Sequence, residues 1–371
     1  MIKVMSVFGT RPEAIKMCPL VKALEDAEGI ESVVCVTAQH REMLDSALDY
    51  FGVKPEYDLN IMKRGQTLSS ITADVITGLE SVLSESRPDL VLVHGDTTTS
   101  FAAALSAFYA KIPVGHVEAG LRTYDRYSPY PEEVNRNLTS KLATLHFAPT
   151  ELNRLNLAKE GITENVFVTG NTALDAFQYT VRPDYVFADE KLRSLDFDKR
   201  KIVALTAHRR ENQSGGIENI CRAVIELSKK HPELRFVYPV HLSPAVRNVV
   251  FPLLDGKEGI TLTDPVDVAD MHNLIAKSFF IMTDSGGIQE EAPSFHKPVL
   301  VLRTETERPE AVSAGTVKVI GTNTEKIIDE AEKLITDADE YKRMASAVNP
   351  YGDGHASERI IAAIRGFFIE K

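Results

Sequence analysis

Short apolar runs recur along the chain, each bounded by turn residues. A first series is Ile2–Phe8, Ser32–Thr37, Leu90–His94, Pro113–Glu118, Leu145–Ala148 and Val166–Thr169. A second is Ile202–Thr206, Leu234–Val240, Ile260–Thr263, Phe279–Thr283, Val299–Leu302 and Val317–Ile320. Helical spacing of apolar positions lies between them, at Ala14–Ala27, Arg41–Tyr50, Leu68–Leu83, Ser100–Tyr109, Ile217–Lys229, Ile288–Ser294 and Thr324–Ile335. Near-continuous apolar strands imply burial on both faces, as in a parallel sheet. Their alternation with helices implies right-handed βαβ units with helices on both faces of the sheet.

The stretch Tyr179–Arg200 is charged and irregular and separates the two series. The expected fold class is therefore α/β, with two doubly wound Rossmann-like domains facing each other across a cleft. The expected division is residues 1–178, a linker at 179–200, residues 201–355, and a C-terminal helix at 356–371 packing back on the N-terminal domain. A chain of 371 residues holds about 2.5 domains at roughly 150 each, which agrees. In such sheets ligands bind at the carboxyl ends of the strands.

The net charge is −11, from 42 Lys+Arg against 53 Asp+Glu. That argues against a nucleic-acid partner or an anionic membrane surface, both of which need clustered positive charge. A local basic pocket for a small anion stays open. Three cysteines (Cys18, Cys35, Cys221) without a CxxC make neither a disulfide framework nor a Cys-based zinc site. Met1–Phe8 leads straight into a strand pattern without a signal-peptide h-region, and no apolar run approaches the length of a membrane span. A cytoplasmic enzyme is expected.

Chemistry-bearing residues cluster at the strand ends. In Phe8-Gly-Thr-Arg-Pro-Glu13, Gly9 permits a tight turn and Pro12 suits a first helical turn. Arg11 and Lys16 would then lie near a helix N-terminus, where backbone N–H groups favour anions. The same loop would also serve as a plain strand-to-helix turn with two solvated cations. Neither GxGxxG nor GxxxxGK[ST] occurs, which removes support for dinucleotide and P-loop readings. Asp96 follows a buried strand, where it is a carboxylate for chemistry or an Asx-turn cap. Glu118 ends a strand between apolar residues, a costly place for an unused carboxylate. Glu132 starts a helix, where the dipole alone would favour an acid. Together these three acids supply candidates for a proton donor and a proton acceptor.

In the second series, His208 with Arg209 and Arg210 at a strand exit looks like an anion or leaving-group site, although a lone His there would also serve a purely structural role. Met282–Ala292 reads as strand, Ser285-Gly286-Gly287 turn and helix, with backbone amides able to approach a diphosphate. Glu291 would accept from ribose hydroxyls, and Arg308 opens another helix. The triplets Asp196–Asp198 and Asp337–Asp339 lie in surface contexts, and no metal-ligand spacing occurs, so neither metal nor cofactor is expected.

The motifs FGTRPEAIKM, TAQHREML, HGDTTTS, GHVEAGLRT, SPYPEEVNR, TGNT, HRREN, YPVH, TDSGGIQEEAP, ERPEAV and NPYGDG run in order from Phe8 to Gly354. In them the chain resembles the non-hydrolysing UDP-N-acetylglucosamine 2-epimerases. The resemblance implies a GT-B-like fold, a homodimer, and interconversion of UDP-GlcNAc and UDP-ManNAc for cell-surface polysaccharide. It implies catalytic roles for Asp96, Glu118, Glu132 and His208. It implies substrate contacts from Arg11, Lys16, Asp96, Glu118, Arg136, His208, Ser285, Gly286, Gly287, Glu291 and Arg308. Some members place Gln and an aromatic in the loop after the third strand of domain two; Val266 and Met271 occupy those places here. Some members bind a second UDP-GlcNAc as an allosteric activator. Gln39, Glu132, Arg209 and His241 match that site, whereas Glu42 and Gly65 stand where such members carry Gln and Arg. The alternatives are a hydrolysing epimerase, a glycosyltransferase that needs an acceptor, and a sensor that binds without turnover.

Overall fold

The computed structural model describes residues 1–39, 41–63 and 65–369, without the Glu42 side chain. The chain divides into two units, Met1–Tyr179 with Tyr351–Lys371, and Thr180–Pro350. Every strand pairing in both is parallel.

Unit 1 contains β1 (Ile2–Phe8), β2 (Ile30–Val36), β3 (Tyr57–Asp58), β4 (Leu90–His94), β5 (Val114–Val117), β6 (Leu145–Ala148) and β7 (Val166–Val168). Their order in the sheet is β3-β2-β1-β4-β5-β6-β7. Side chains alternate between faces along a strand, and here both faces are apolar. Val4, Phe8, Val34, Val36 and Leu92 pack with Met17, Leu20 and Leu24 of the helix Arg11–Glu25. Met5, Val7, Val33, Cys35, Val91 and Val93 pack with Val75 and Leu79 of Leu68–Ser86 and Ala103 of Thr98–Tyr109. This double burial produces the unbroken apolar runs in the sequence.

Unit 2 contains β8 (Lys201–Thr206), β9 (Leu234–Pro239), β10 (Ile260–Thr263), β11 (Phe280–Thr283), β12 (Val299–Val301) and β13 (Val317–Val319). Their order is β10-β9-β8-β11-β12-β13. Its core joins Val203, Leu205, Phe236, Tyr238 and Met282 to Ile220, Val224 and Leu227 of the helix Gly216–Lys230. Cys18, Cys35 and Cys221 are buried free thiols, and burial pushes each pKa up to about 12.

Of residues 179–200, expected as a linker, 180–200 belong to unit 2. Phe187 and Leu192 are buried there. Asp270 accepts hydrogen bonds from the Tyr185 hydroxyl and the Ala188 and Asp189 N–H groups, all at 2.8 Å. Buried anchors this sparse do not stand out from a charged run. The C-terminal helix Ala356–Ile369 buries Ile360 and Ile364 in the same cluster as Leu20 and Leu24. Its first amides, Ala356 and Ser357, donate to the Asp175 carboxylate at 3.0 and 2.6 Å. Among the described residues no helix is long and apolar enough to cross a membrane.

Candidate active site

β1, β4 and β5 are neighbours, and the loops at their carboxyl ends carry the first polar group. Glu13 is buried in the first turn of Arg11–Glu25. Its Oε2 accepts from the Gly9 and Thr10 amides (3.1 and 2.8 Å), and its Oε1 accepts from the Thr97 and Ser100 hydroxyls (2.7 and 3.0 Å). One carboxylate thus ties the loop after β1 to the loop after β4. Burial raises its pKa, and these hydrogen bonds oppose the rise. Gly9, expected for its turn, is required for space: a Cβ there would lie 1.9 Å from Thr37 Oγ1. Arg11 is half-buried at the first position of the helix.

Glu118 follows β5 with φ of 64°, a left-handed backbone rare for a residue with a side chain. Strain of this kind costs about 1–3 kcal/mol and clusters at functional sites. The Glu118 carboxylate pairs with the Lys16 ammonium and accepts from Asn171 Nδ2 at 3.2 Å. Buried His94 places Nε2 3.7 Å from the same carboxylate, and that nitrogen has no hydrogen-bond partner. Burial pushes the His94 pKa down to about 4, so the ring is neutral at pH 7. Asp96 Oδ2 accepts from Arg136 Nε at 2.9 Å and lies 2.6 Å from Nη2. Arg136 is held in turn by Glu133 at 3.2 Å, which also accepts from the Thr123 and Tyr124 amides. Glu132 opens the helix Glu132–Leu142, and its buried Oε2 has no hydrogen-bond partner.

In unit 2 the organising residue is Asp284, fully buried just past β11. Its Oδ2 accepts from the backbone amides of His208 and Arg209, both at 2.8 Å, and from Asn212 Nδ2 at 3.0 Å. The His208 ring stacks on that of His241, with centroids 5.2 Å apart. Burial lowers the His208 pKa, while the Asp284 charge opposes the shift. Gly286 and Gly287 are the first two residues of the short helix Gly286–Glu291, rather than a turn preceding it. A Cβ on Gly286 would stand 3.5 Å from an Arg308 guanidinium nitrogen and 3.8 Å from one of Arg209. Arg308 is buried and paired with Glu290. Glu291 Oε2 lies 3.8 Å from His272 Nε2.

The structure therefore gathers Arg11, Lys16, Asp96, Glu118, Glu132 and Arg136 on unit 1, and His208, Arg209, His241, Ser285, Gly286, Gly287, Glu291 and Arg308 on unit 2. Val266 is a half-buried loop residue, whereas Met271, expected in the same loop, lies in the helix Val268–Lys277. Gln39 accepts from Thr99 Oγ1 at 3.2 Å in unit 1. His40 of the TAQHREML motif and the Glu42 side chain lie outside the described residues. Glu13, His94, Asn171 and Asp284 went unremarked as individuals in the sequence, because their importance rests on partners far away in the chain. Among the described residues no cluster of His, Cys, Asp or Glu is arranged to hold a metal ion.

Two parallel-sheet α/β units, with acids at the strand ends of unit 1 and two arginines beside Gly286 in unit 2, define a two-domain α/β protein of the GT-B-like kind. A family model described as UDP-N-acetylglucosamine 2-epimerase matches residues 22–365. The chain belongs to that family. It is 54% identical to the UDP-N-acetylglucosamine 2-epimerase of Yersinia pestis, over 98% of each chain. It is similar to the crystal structure of the Neisseria meningitidis UDP-GlcNAc 2-epimerase bound to UDP-GlcNAc, at 50% identity and TM-score 0.89, covering 98% of this chain and 100% of that one. The Methanocaldococcus jannaschii UDP-GlcNAc 2-epimerase in complex with UDP-GlcNAc and UDP is 33% identical, with TM-score 0.79 and coverage of 98% and 100%. The glycosyltransferase SnogD of Streptomyces nogalater, 15% identical with TM-score 0.60 over 98% and 99%, shares the fold.

Proposed function

We propose that this enzyme reversibly epimerises UDP-N-acetylglucosamine at C2, giving UDP-N-acetylmannosamine. The C2 proton is not alpha to a carbonyl, so direct abstraction is hard. Breaking the anomeric C–O bond first solves this. UDP leaves as an anion, the developing oxocarbenium ion acidifies C2–H, and a carboxylate removes the proton. The neutral 2-acetamidoglucal is then protonated at C2 on the other face, and UDP adds back at C1.

In this reading Arg11, Lys16, His208, Arg308 and the Ser285-Gly286-Gly287 amides stabilise the diphosphate as it leaves. Asp96, Glu118 and Glu132 share the two proton transfers and the positive ring. Arg136 pairs with Asp96 and orients it. Glu291 holds the ribose, and Val266 and Met271 border the uracil. The homodimer, the cytoplasmic setting and the supply of ManNAc units to polysaccharide go with the same reading.

The observation that carries it is Glu118: a carboxylate held in a left-handed backbone at a strand end, paired with Lys16, with His94 Nε2 3.7 Å away and without a hydrogen-bond partner. Prolonged incubation with UDP-GlcNAc tests the route. UDP and 2-acetamidoglucal should accumulate slowly as the intermediate escapes. Release of free N-acetylmannosamine instead would mark a hydrolysing enzyme.

A further inference from the structure

The mechanism leaves one buried group unused. Asp284 is fully buried, and its two carboxylate oxygens are treated differently. Oδ2 is saturated by three donors, from His208, Arg209 and Asn212. Oδ1 is buried and has no hydrogen-bond partner. The His208 Nδ1 atom lies 3.5 Å from it. A buried carboxylate oxygen left unsatisfied is costly, and each case calls for a physical reason. Here a closure of about half an ångström would bring Nδ1–H to ordinary hydrogen-bond distance.

We propose that Asp284 is the positioning residue for His208: Oδ2 fixes the backbone of the His208 loop, and Oδ1 takes the proton on Nδ1, so that His208 binds a proton from solvent at Nε2 when the UDP diphosphate arrives. This rests on the functional reading above, in which His208 meets the leaving diphosphate. A neutral imidazole with hydrogen on Nδ1 offers the ligand only a lone pair at Nε2. Protonation of Nε2 converts it to a donor, and Asp284 on one side with the diphosphate on the other stabilises the imidazolium between them.

The other groups facing His208 are His241, stacked on its ring, and Arg209, the next residue; both disfavour a second positive charge. Burial does so as well. Asp284 is thus the group in the free enzyme that favours the charge, and the ligand supplies the rest. Positioning by a buried Asp behind a His makes the His tautomer, rather than only its location, depend on that carboxylate.

Asp284→Asn keeps the shape and the Oδ2 bonds. Its carbonyl oxygen replaces Oδ2, and its amide nitrogen then faces Nδ1 with a donor, forcing the hydrogen onto Nε2. UDP binding should be followed by calorimetry at pH 8 in two buffers of different ionisation enthalpy. At that pH the β-phosphate of UDP is already ionised, so any proton taken up goes to the protein. The wild type should take up close to one proton per UDP. The D284N variant should take up none, its UDP affinity should change little between pH 6.5 and 8.5, and kcat should fall roughly 10- to 100-fold with KM less affected. Wild-type proton uptake and an unaltered pH profile in a folded D284N would overturn the proposal. Nitrogen NMR of His208 in the wild type gives a reading that needs no variant: hydrogen on Nδ1 in the free enzyme supports it, and hydrogen on Nε2 overturns it. A wild type that binds no UDP would instead overturn the functional reading, and this inference with it.

Discussion

Lys16 and Glu118, 102 residues apart in sequence, form an ion pair at the carboxyl edge of the first sheet. Both side chains are mostly buried, at 17% and 12% exposure. Removing one charge of such a pair strands the other in a poorly solvated place. Glu118→Gln keeps the volume and the Asn171 contact but removes the proton acceptor. Turnover should fall by about 10²–10⁴-fold, with the circular dichroism spectrum unchanged. Near-normal turnover would take Glu118 out of the reacting set.

Gly9 should not tolerate a methyl group. A Cβ would meet Thr37 Oγ1 at 1.9 Å and Thr99 Oγ1 at 3.0 Å, on a loop also fixed by Glu13. Gly9→Ala should cost about 1–3 kcal/mol from overpacking, read from denaturant unfolding. A variant as stable as the wild type would show that the two threonines can move aside.

The C-terminal helix depends on a cap contributed from far along the chain. Asp175 accepts from Ala356 and Ser357, and no side chain of its own segment supplies those bonds. Asp175→Ala should cost about 0.5–2 kcal/mol and raise hydrogen exchange selectively in the first turn of Ala356–Ile369. Unchanged exchange there would contradict the capping role.

Buried histidines set the acid limit of stability. Burial lowers the pKa values of His116 and His272 to about 3, and those of His94 and His146 to about 4, against a reference of 6.5. Below pH 6.5 the unfolded chain binds protons that these folded sites refuse. Their contribution is whole above about pH 6.5 and is lost as pH falls toward the folded values. Each such histidine contributes about 1.4 kcal/mol per pH unit to the slope in the middle of that window. His116→Gln should flatten the dependence of unfolding free energy on pH by about that amount between pH 5.5 and 4.5. An identical slope would mean that His116 already titrates normally in the folded state.

Much of this architecture is legible in the chain because parallel strands buried on two faces leave long apolar runs, as in β1 and β4. The two-residue β3, Tyr57–Asp58, leaves no such mark. Residues 180–200 mislead because their buried hydrophobic residues, Phe187 and Leu192, are few among charges. The strand-end residues of the site are readable for a similar reason: Asp96, Glu118 and the paired glycines stand where a strand must stop. Asp284 and Glu13 are harder. Each is an ordinary acid near a turn until the fold brings distant donors to it. The Gly286-Gly287 pair shows a third case, where the residues are right and the local structure differs, since they begin the helix instead of preceding it.

The central claim is that the C2–H bond breaks and re-forms while the nucleotide is detached from the sugar. Incubating the enzyme with UDP-GlcNAc in D2O and following the sugar by proton NMR tests it directly. The account predicts UDP-N-acetylmannosamine carrying deuterium at C2. An epimer that keeps its original hydrogen at C2 would contradict it.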